Sequence, residues 1–158
     1  MRIVMFVEGD PAGQPRVQFS RRSGRPYTPQ TRKRSDGSRV PLASSTFRAA
    51  VMEAILIQAS KMDGPIEGPV EVSWTAMFER PCSHFRANKR DRGLRETAPT
   101  PSQMNVKPDR DNIDKLVLDC LVKGRLLRDD KQVCCGTLVK RWADAGSPAG
   151  IHIQIEAL

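Results

Sequence analysis

Aromatic residues are scarce: five Phe, two Trp and one Tyr make up 5% of the 158 residues. No apolar run approaches the roughly 18 residues that a membrane span needs. The opening MRIVMFVEGD has neither an apolar h-region nor a small-residue cleavage site, so neither membrane insertion nor secretion is expected. The four cysteines are Cys82, Cys120, Cys134 and Cys135. They form no Cys-x-x-Cys pair, and His84 and His152 lie at no zinc-like spacing from them. Reduced thiols in a cytosolic protein are the expectation, with Cys120 as a small core residue. A glycine-rich phosphate loop of the Rossmann or Walker kind is missing, and so is any internal repeat. No organic cofactor is therefore expected. Hydrophobic residues at 39% and charged residues at 28% are ordinary globular values, which excludes disorder of the whole chain.

Positive charge is abundant. The 26 Lys and Arg outnumber the 18 Asp and Glu, for a formal net charge of +8, which points to a polyanionic partner and to nucleic acid first. The excess sits in two stretches. Arg16 to Arg39 holds eight basic residues and one acid, and Arg80 to Arg95 holds six and one. The rest of the chain is net acidic, with six of the acids between Asp109 and Asp130. Both basic stretches read as long loops, about 11–43 and 80–106, punctuated by Pro and Gly. Loops of that length in a compact domain are functional or disordered. Two of them in one small chain favour phosphate contacts over solvated linkers. Charge density picks out Arg16, Arg21, Arg22, Arg80, Arg86 and Lys89 as candidate DNA contacts.

The length predicts one domain spanning 1–158. Arg2 to Glu8 reads as a strand. Thr46 to Lys61 reads as a helix, with Phe47, Ala50, Val51, Ala54 and Ile55 on one face and Ser44 or Ser45 as its cap. Val70 to Phe78 alternates strictly, as a half-buried strand does. Asp111 to Lys123 reads as a second helix stopped by Gly124. Gln132 to Trp142 and the alternating Ile151, Ile153 and Ile155 supply two further strands. The fold class that follows is α/β (α+β): a small mixed β-sheet packed with two main helices and carrying long basic loops.

Chemistry concentrates in Lys107-Pro-Asp-Arg-Asp-Asn-Ile-Asp-Lys115. Asp109 and Asp111 fall on one side of an extended lead-in to the helix. Asp111 suits the N-cap, with Asp114 as an acidic stand-in for a capping box. Two carboxylates on one side, joined by a third from elsewhere, make a hard-cation site. The pair Asp129-Asp130 is the candidate third, if the turn after the helix returns beside its N-terminus. Asp111, Lys115 and Asp119 stack four apart along the helix. The bland alternative is a surface salt-bridge ladder worth roughly a few tenths of a kcal/mol per pair. Leu118 and Val122 flank that stripe, so the helix is apolar on two sides and calls for a second cover, such as a homodimer partner. Asp109-x-Asp111-Asn112 resembles the start of an EF-hand loop, but Ile113 and Asp114 stand where that loop needs an oxygen ligand and a glycine.

The stretch Lys107 to Asp119, followed by Arg128-Asp-Asp-Lys-Gln-Val133, resembles the signature of RusA-type Holliday junction resolvases, common in phages and prophages. Gly13-Gln-Pro-Arg-Val-Gln-Phe19, Pro26-Tyr-Thr-Pro29 and the late Lys140 agree with it. The resemblance implies a homodimeric, Mg²⁺-dependent endodeoxyribonuclease of the bacterial cytoplasm. Mn²⁺ would substitute, and branched DNA would be cut symmetrically in recombination and repair. Position by position it implies Asp109, Asp111 and Asp130 as metal-binding catalytic carboxylates and Lys115 as the catalytic lysine, with Asp129 a less certain neighbour. The rival on the residues alone is a non-catalytic basic DNA-binding accessory protein whose aspartates only cap and bridge. A third class is a metal-dependent nucleotide or RNA hydrolase.

Overall fold

The computed structural model describes residues 1–15 and 17–158. Strand β1 (Arg2–Glu8) opens the chain. The first arm then carries two short ribbons, β2 (Gln18–Phe19) paired with β3 (Pro26–Tyr27) and β4 (Thr31–Lys33) paired with β5 (Arg39–Pro41). Helix α1 (Ala43–Ala59) and strand β6 (Val70–Phe78) follow. The second arm is a succession of 3₁₀ turns, at Cys82–His84, Arg86–Asn88, Arg90–Arg92 and Pro101–Gln103. Helix α2 (Arg110–Lys123), a 3₁₀ turn at Asp130–Gln132, and strands β7 (Val133–Cys135), β8 (Leu138–Trp142) and β9 (Gly150–Ala157) complete the order.

The main sheet runs β1-β9-β6, and both β7 and β8 pair with the far side of β6. β9 is antiparallel to β1 and to β6, whereas β7 and β8 lie parallel to β6. It is a mixed sheet, as the pattern of elements predicts. The parallel pairing needs a crossover, and the second arm with α2 provides it. Strict alternation on β6 sends Val70, Val72, Trp74, Ala76 and Phe78 inward and leaves Glu71, Ser73 and Thr75 on the open face. β9 contributes Ile151, Ile153 and Ile155 to the same core, each worth about 1.5–3 kcal/mol of transfer free energy. Phe47, Val51 and Ile55 of α1 and Ile113, Leu116, Val117, Cys120 and Leu121 of α2 close the core from one side. Burial in that cluster pushes the Cys120 thiol pKa up, as befits an inert structural cysteine. Among the described residues no helix is long and apolar enough to cross a membrane.

Local differences from the sequence reading have physical causes. α1 begins at Ala43 with Leu42 as N-cap, and no side chain caps it. The Ser45 hydroxyl instead donates to the Gln30 carbonyl at 2.6 Å, tying the first arm to the helix. α2 begins at Arg110, so Asp109 rather than Asp111 is its N-cap. Asp114 joins no capping box, because its carboxylate accepts the Trp74 indole N–H at 2.9 Å. Gly124 is the C-cap, but with φ −79 it is not the left-handed residue, which is Arg125 at φ 60. Glycine suits position 124 because a Cβ there would lie 2.3 Å from Ile55 Cγ2, where α1 and α2 meet. The third expected strand, Gln132 to Trp142, divides in two around Gly136, whose backbone packs against the Val72 carbonyl. The two arms are not structureless: the first carries ribbons and the second turns.

Candidate active site

The N-terminal half of α2 is fixed from three directions. From β8, the Lys140 ammonium donates to the carbonyls of Val106 at 2.6 Å and Pro108 at 2.7 Å, which sets the turn that delivers Asp109. From the first arm, the Gln14 backbone N–H donates to the Asn112 carbonyl at 2.9 Å. Gly13 comes so close that a Cβ there would stand 2.8 Å from Asn112 Cβ and 3.1 Å from Pro108 Cβ. From the core, Trp74 holds Asp114. Lys140 and Trp74 are positioning residues. The spacing reading missed both roles, since a hydrogen bond between distant segments leaves no local signature.

Those contacts present two carboxylates and an ammonium outward. Asp109 is exposed at the N-cap, and its carboxylate accepts no capping hydrogen bond. Asp111 is exposed in the first turn, and Lys115 is exposed one turn further along. The ladder of the bland reading does not form: Asp119 faces Arg48 of α1 at 3.9 Å, and among the described residues neither Asp111 nor Lys115 enters an ion pair. The helix N-terminus adds its positive dipole end, where anionic groups are favoured.

Asp129 and Asp130 differ from each other. Asp129 caps the 3₁₀ turn, accepting the Lys131 backbone N–H at 3.0 Å. That hydrogen bond, with the Lys131 charge, holds its carboxyl below the ordinary 3.8. Asp130 is exposed and does not cap the turn. Gln132 fixes this turn, another role that spacing did not reveal. Its amide donates to the carbonyls of Ile66 at 2.9 Å and Gly68 at 2.8 Å, and its oxygen accepts from the backbone N–H groups of Arg128 and Asp129.

Within one chain the turn does not return to the helix N-terminus as expected. It lies beside the C-terminal half of α2, in a depression lined by Leu118, Asp119, Val122, Lys123, Asp129 and Asp130. α2 ends at Gly124 and the turn begins at Asp130, so the acids follow closely on the helix C-terminus and meet its later turns. At about 1.5 Å per residue, Leu118 is already some 10 Å along the axis from Asp111. Accordingly, among the described residues no three metal-ligating side chains stand close enough to share an ion. Leu118 and Val122 are partly buried against the core and line this depression beside the acids.

The basic candidates divide as well. Arg21, Arg22, Arg86 and Lys89 are exposed on the arms, and Arg25, Arg32 and Arg34, which charge density did not single out, are equally exposed. Arg16 lies outside the described residues. Arg80 is only 4% exposed, with Nε on the Ala143 carbonyl at 2.9 Å and Nη1 on the Pro99 carbonyl at 2.8 Å. A guanidinium committed to two carbonyls pins the second arm to the sheet rather than reaching out for phosphate, which corrects the expectation from charge density.

No curated protein gives a significant match. A family model described as endodeoxyribonuclease RusA matches residues 8–156, from the end of β1 to the last residues of β9. With the free acids of α2, the lysine beside them and the basic arms inside that span, the chain belongs to the RusA family of endodeoxyribonucleases, hydrolases that resolve Holliday junctions.

Proposed function

We propose that this chain acts as a homodimer that needs Mg²⁺ or Mn²⁺ and cuts a four-way DNA junction symmetrically on opposing strands. The observation that carries this is the placing of exposed groups at the two ends of α2, Asp109, Asp111 and Lys115 at its start and Asp130 in the turn beside its last turns, with the partly buried Leu118 and Val122 between them. Two α2 helices set antiparallel across a two-fold axis bring the first end of one beside the second end of the other. Asp109 and Asp111 then face Asp130 of the partner subunit, and the apolar strip is covered in the same step. The separation seen within one chain supports this arrangement over a site built in a single subunit.

The donor set fits a hard divalent cation: carboxylate oxygens that neither cap nor pair, at an exposed helix end open to water and phosphate. Asp109, Asp111 and the third carboxylate, Asp130, would hold it. When bound, such an ion activates water and offsets charge on the phosphate undergoing hydrolysis. Lys115 directs its ammonium to the attacking water or a phosphate oxygen. Lys140 keeps the Val106–Pro108 turn in place so that Asp109 stays in register with Asp111. The arms engage phosphates on either side through Arg21, Arg22, Arg86 and Lys89, offsetting the repulsion between DNA and the acids, and this contribution falls steeply with salt.

The test incubates the purified protein with a synthetic four-way junction and a linear duplex of the same sequence, with Mg²⁺ or with EDTA. Paired nicks on the junction alone, lost in EDTA and in Asp111→Asn while junction binding persists, are expected. Binding without nicking under any metal condition would instead establish the non-catalytic accessory protein.

A further inference from the structure

The ribbon β2–β3 puts its two aromatic residues to different uses. Gln18 pairs with Tyr27 and Phe19 with Pro26, so the two pairs lie on opposite faces. On one face the Tyr27 hydroxyl donates to the Gln18 side-chain oxygen at 3.0 Å, a closed polar pair. On the other, Phe19 is 70% exposed, against exposed Pro26, and Val17 two residues earlier is 55% exposed. Single exposed apolar side chains need no explanation. Three neighbours of this kind on a two-residue ribbon, in a chain with few aromatics, do.

The ribbon is held in shape rather than left loose. Its turn closes through Ser20 N–H to the Arg25 carbonyl at 2.9 Å and Gly24 N–H to the Ser20 carbonyl at 2.8 Å, with Gly24 at φ 66. That turn carries Arg21, Arg22 and Arg25, all exposed. The base of the ribbon is anchored at the active site, where Gly13 and Gln14 pack on Pro108 and Asn112. Phe19 is six residues from Gly13, at most about 20 Å of chain, which is less than one turn of a DNA duplex at about 34 Å.

An apolar tip ringed by arginines does not suit an acidic protein surface, which would leave Phe19 in water or against charge. It suits DNA whose base faces are accessible, because phosphates satisfy the arginines while a base covers the ring. Continuous duplex offers no open base face, whereas a branch point does. Resting on the reading of this chain as a junction nuclease, we propose that Phe19, backed by Val17 and Pro26, is a stacking wedge that takes the unstacked base face at the branch point and confers preference for branched over linear DNA. Arg21, Arg22 and Arg25 bind the flanking phosphates of both substrates alike, so they add affinity without that preference.

The experiment uses junctions with 2-aminopurine beside the branch point, in an Asp111→Asn background so that the DNA stays whole. Binding of this parent raises the fluorescence, which reports unstacking. Phe19→Ala abolishes that rise and lowers the preference for junction over duplex by about tenfold, within the range of one lost base–aromatic stack. Phe19→Trp keeps both, and Ile57→Ala, an exposed apolar residue on the remote helix α1, changes neither. Melting temperatures of all variants confirm that only the surface has changed. Unaltered fluorescence and preference in Phe19→Ala overturns the wedge, as does an equal fall in affinity for junction and duplex. Failure of the nuclease reading shows separately, as absence of metal-dependent junction cutting by the wild-type protein with Phe19 in place.

Discussion

The indole Nε1 of Trp74 donates a 2.9 Å hydrogen bond to the carboxylate of Asp114, joining the middle of the central strand to the flank of α2 beside its exposed Asp111–Lys115 stripe. Trp74 is almost fully buried, and Ile113 and Leu116 beside Asp114 are in the core. The bond therefore fixes the rotation of α2 about its axis and hence the direction in which its acids point.

Trp74→Phe removes the donor, leaves a cavity and strands a half-buried carboxylate. The expected cost is about 2–4 kcal/mol, from the lost charge-assisted bond and the smaller ring. Asp114→Asn retains an acceptor oxygen and is expected to cost less than half of that. Urea titrations of the two variants check the order; a larger loss in Asp114→Asn would mean that the charge of Asp114, and not its acceptor, is what matters there.

Lys140 carries the next expectation. Its ammonium spans the carbonyls of Val106 and Pro108, the last residues before the N-cap. Lys140→Met frees the turn, and small displacements of reacting groups cost up to about a hundredfold in rate. Single-turnover junction cutting is expected to fall at least about tenfold on that basis, with junction affinity nearly unchanged and partial recovery in Lys140→Arg. A phosphate contact would give another signature, a weaker affinity and a salt dependence shallower by about one unit of slope.

Much of this site was legible in the residue order, and the part that was not is instructive. The alternation of β6 and β9 and the 3.6-residue pattern of α2 depend on neighbours in the chain, so Val70–Phe78 could be read directly and the helix was read as Asp111 to Lys123, one residue short of its start at Arg110. The free state of Asp109, Asp111 and Lys115 could not, because it depends on where Trp74, Lys140 and Arg48 end up. Arg80 shows the same limit in reverse. It heads a stretch to Arg95 whose charge density looks like a DNA-binding loop, yet just past the end of β6 it is buried and the carbonyls of Pro99 and Ala143 claim it. The position of Asp130 depends on tertiary packing: Leu126 and Leu127, both in the core, hold the chain after Gly124 at the near end of the helix.

Asp10 supplies a pH test. Asp10 is solvent-exposed at the rim of a hollow it shares with Glu79, and partial desolvation there, and next the Glu79 charge, raise its carboxyl above the ordinary 3.8. A raised carboxyl means that the folded state binds the proton more tightly than the unfolded state, so the ionised form is a penalty on folding. That penalty is fully present above the folded pKa and vanishes below the unfolded one. Asp10→Asn is therefore expected to stabilise the protein near neutral pH, with the advantage shrinking to nothing as the pH falls below about 3.8. Urea midpoints taken across that range check it; a pH-independent effect would assign the change to packing.

The shared site makes a prediction that a site within one subunit does not. If Asp111 works with Asp130 of the partner subunit, Asp111→Asn and Asp130→Asn homodimers are each inactive, since both of their sites lack an acid. A mixed dimer collects both substitutions in one site and leaves the other with every carboxylate. Mixing and re-equilibrating the two inactive proteins is then expected to restore nicking of one strand per junction, at up to about one quarter of the wild-type site concentration, because half the dimers are mixed and each holds one intact site of two. Were all the acids of a site to come from one chain, every site in the mixture would lack one of them, and no nicking would return. Sizing of the mixture confirms that dimers formed, so that silence in the assay counts against the shared site and not against assembly.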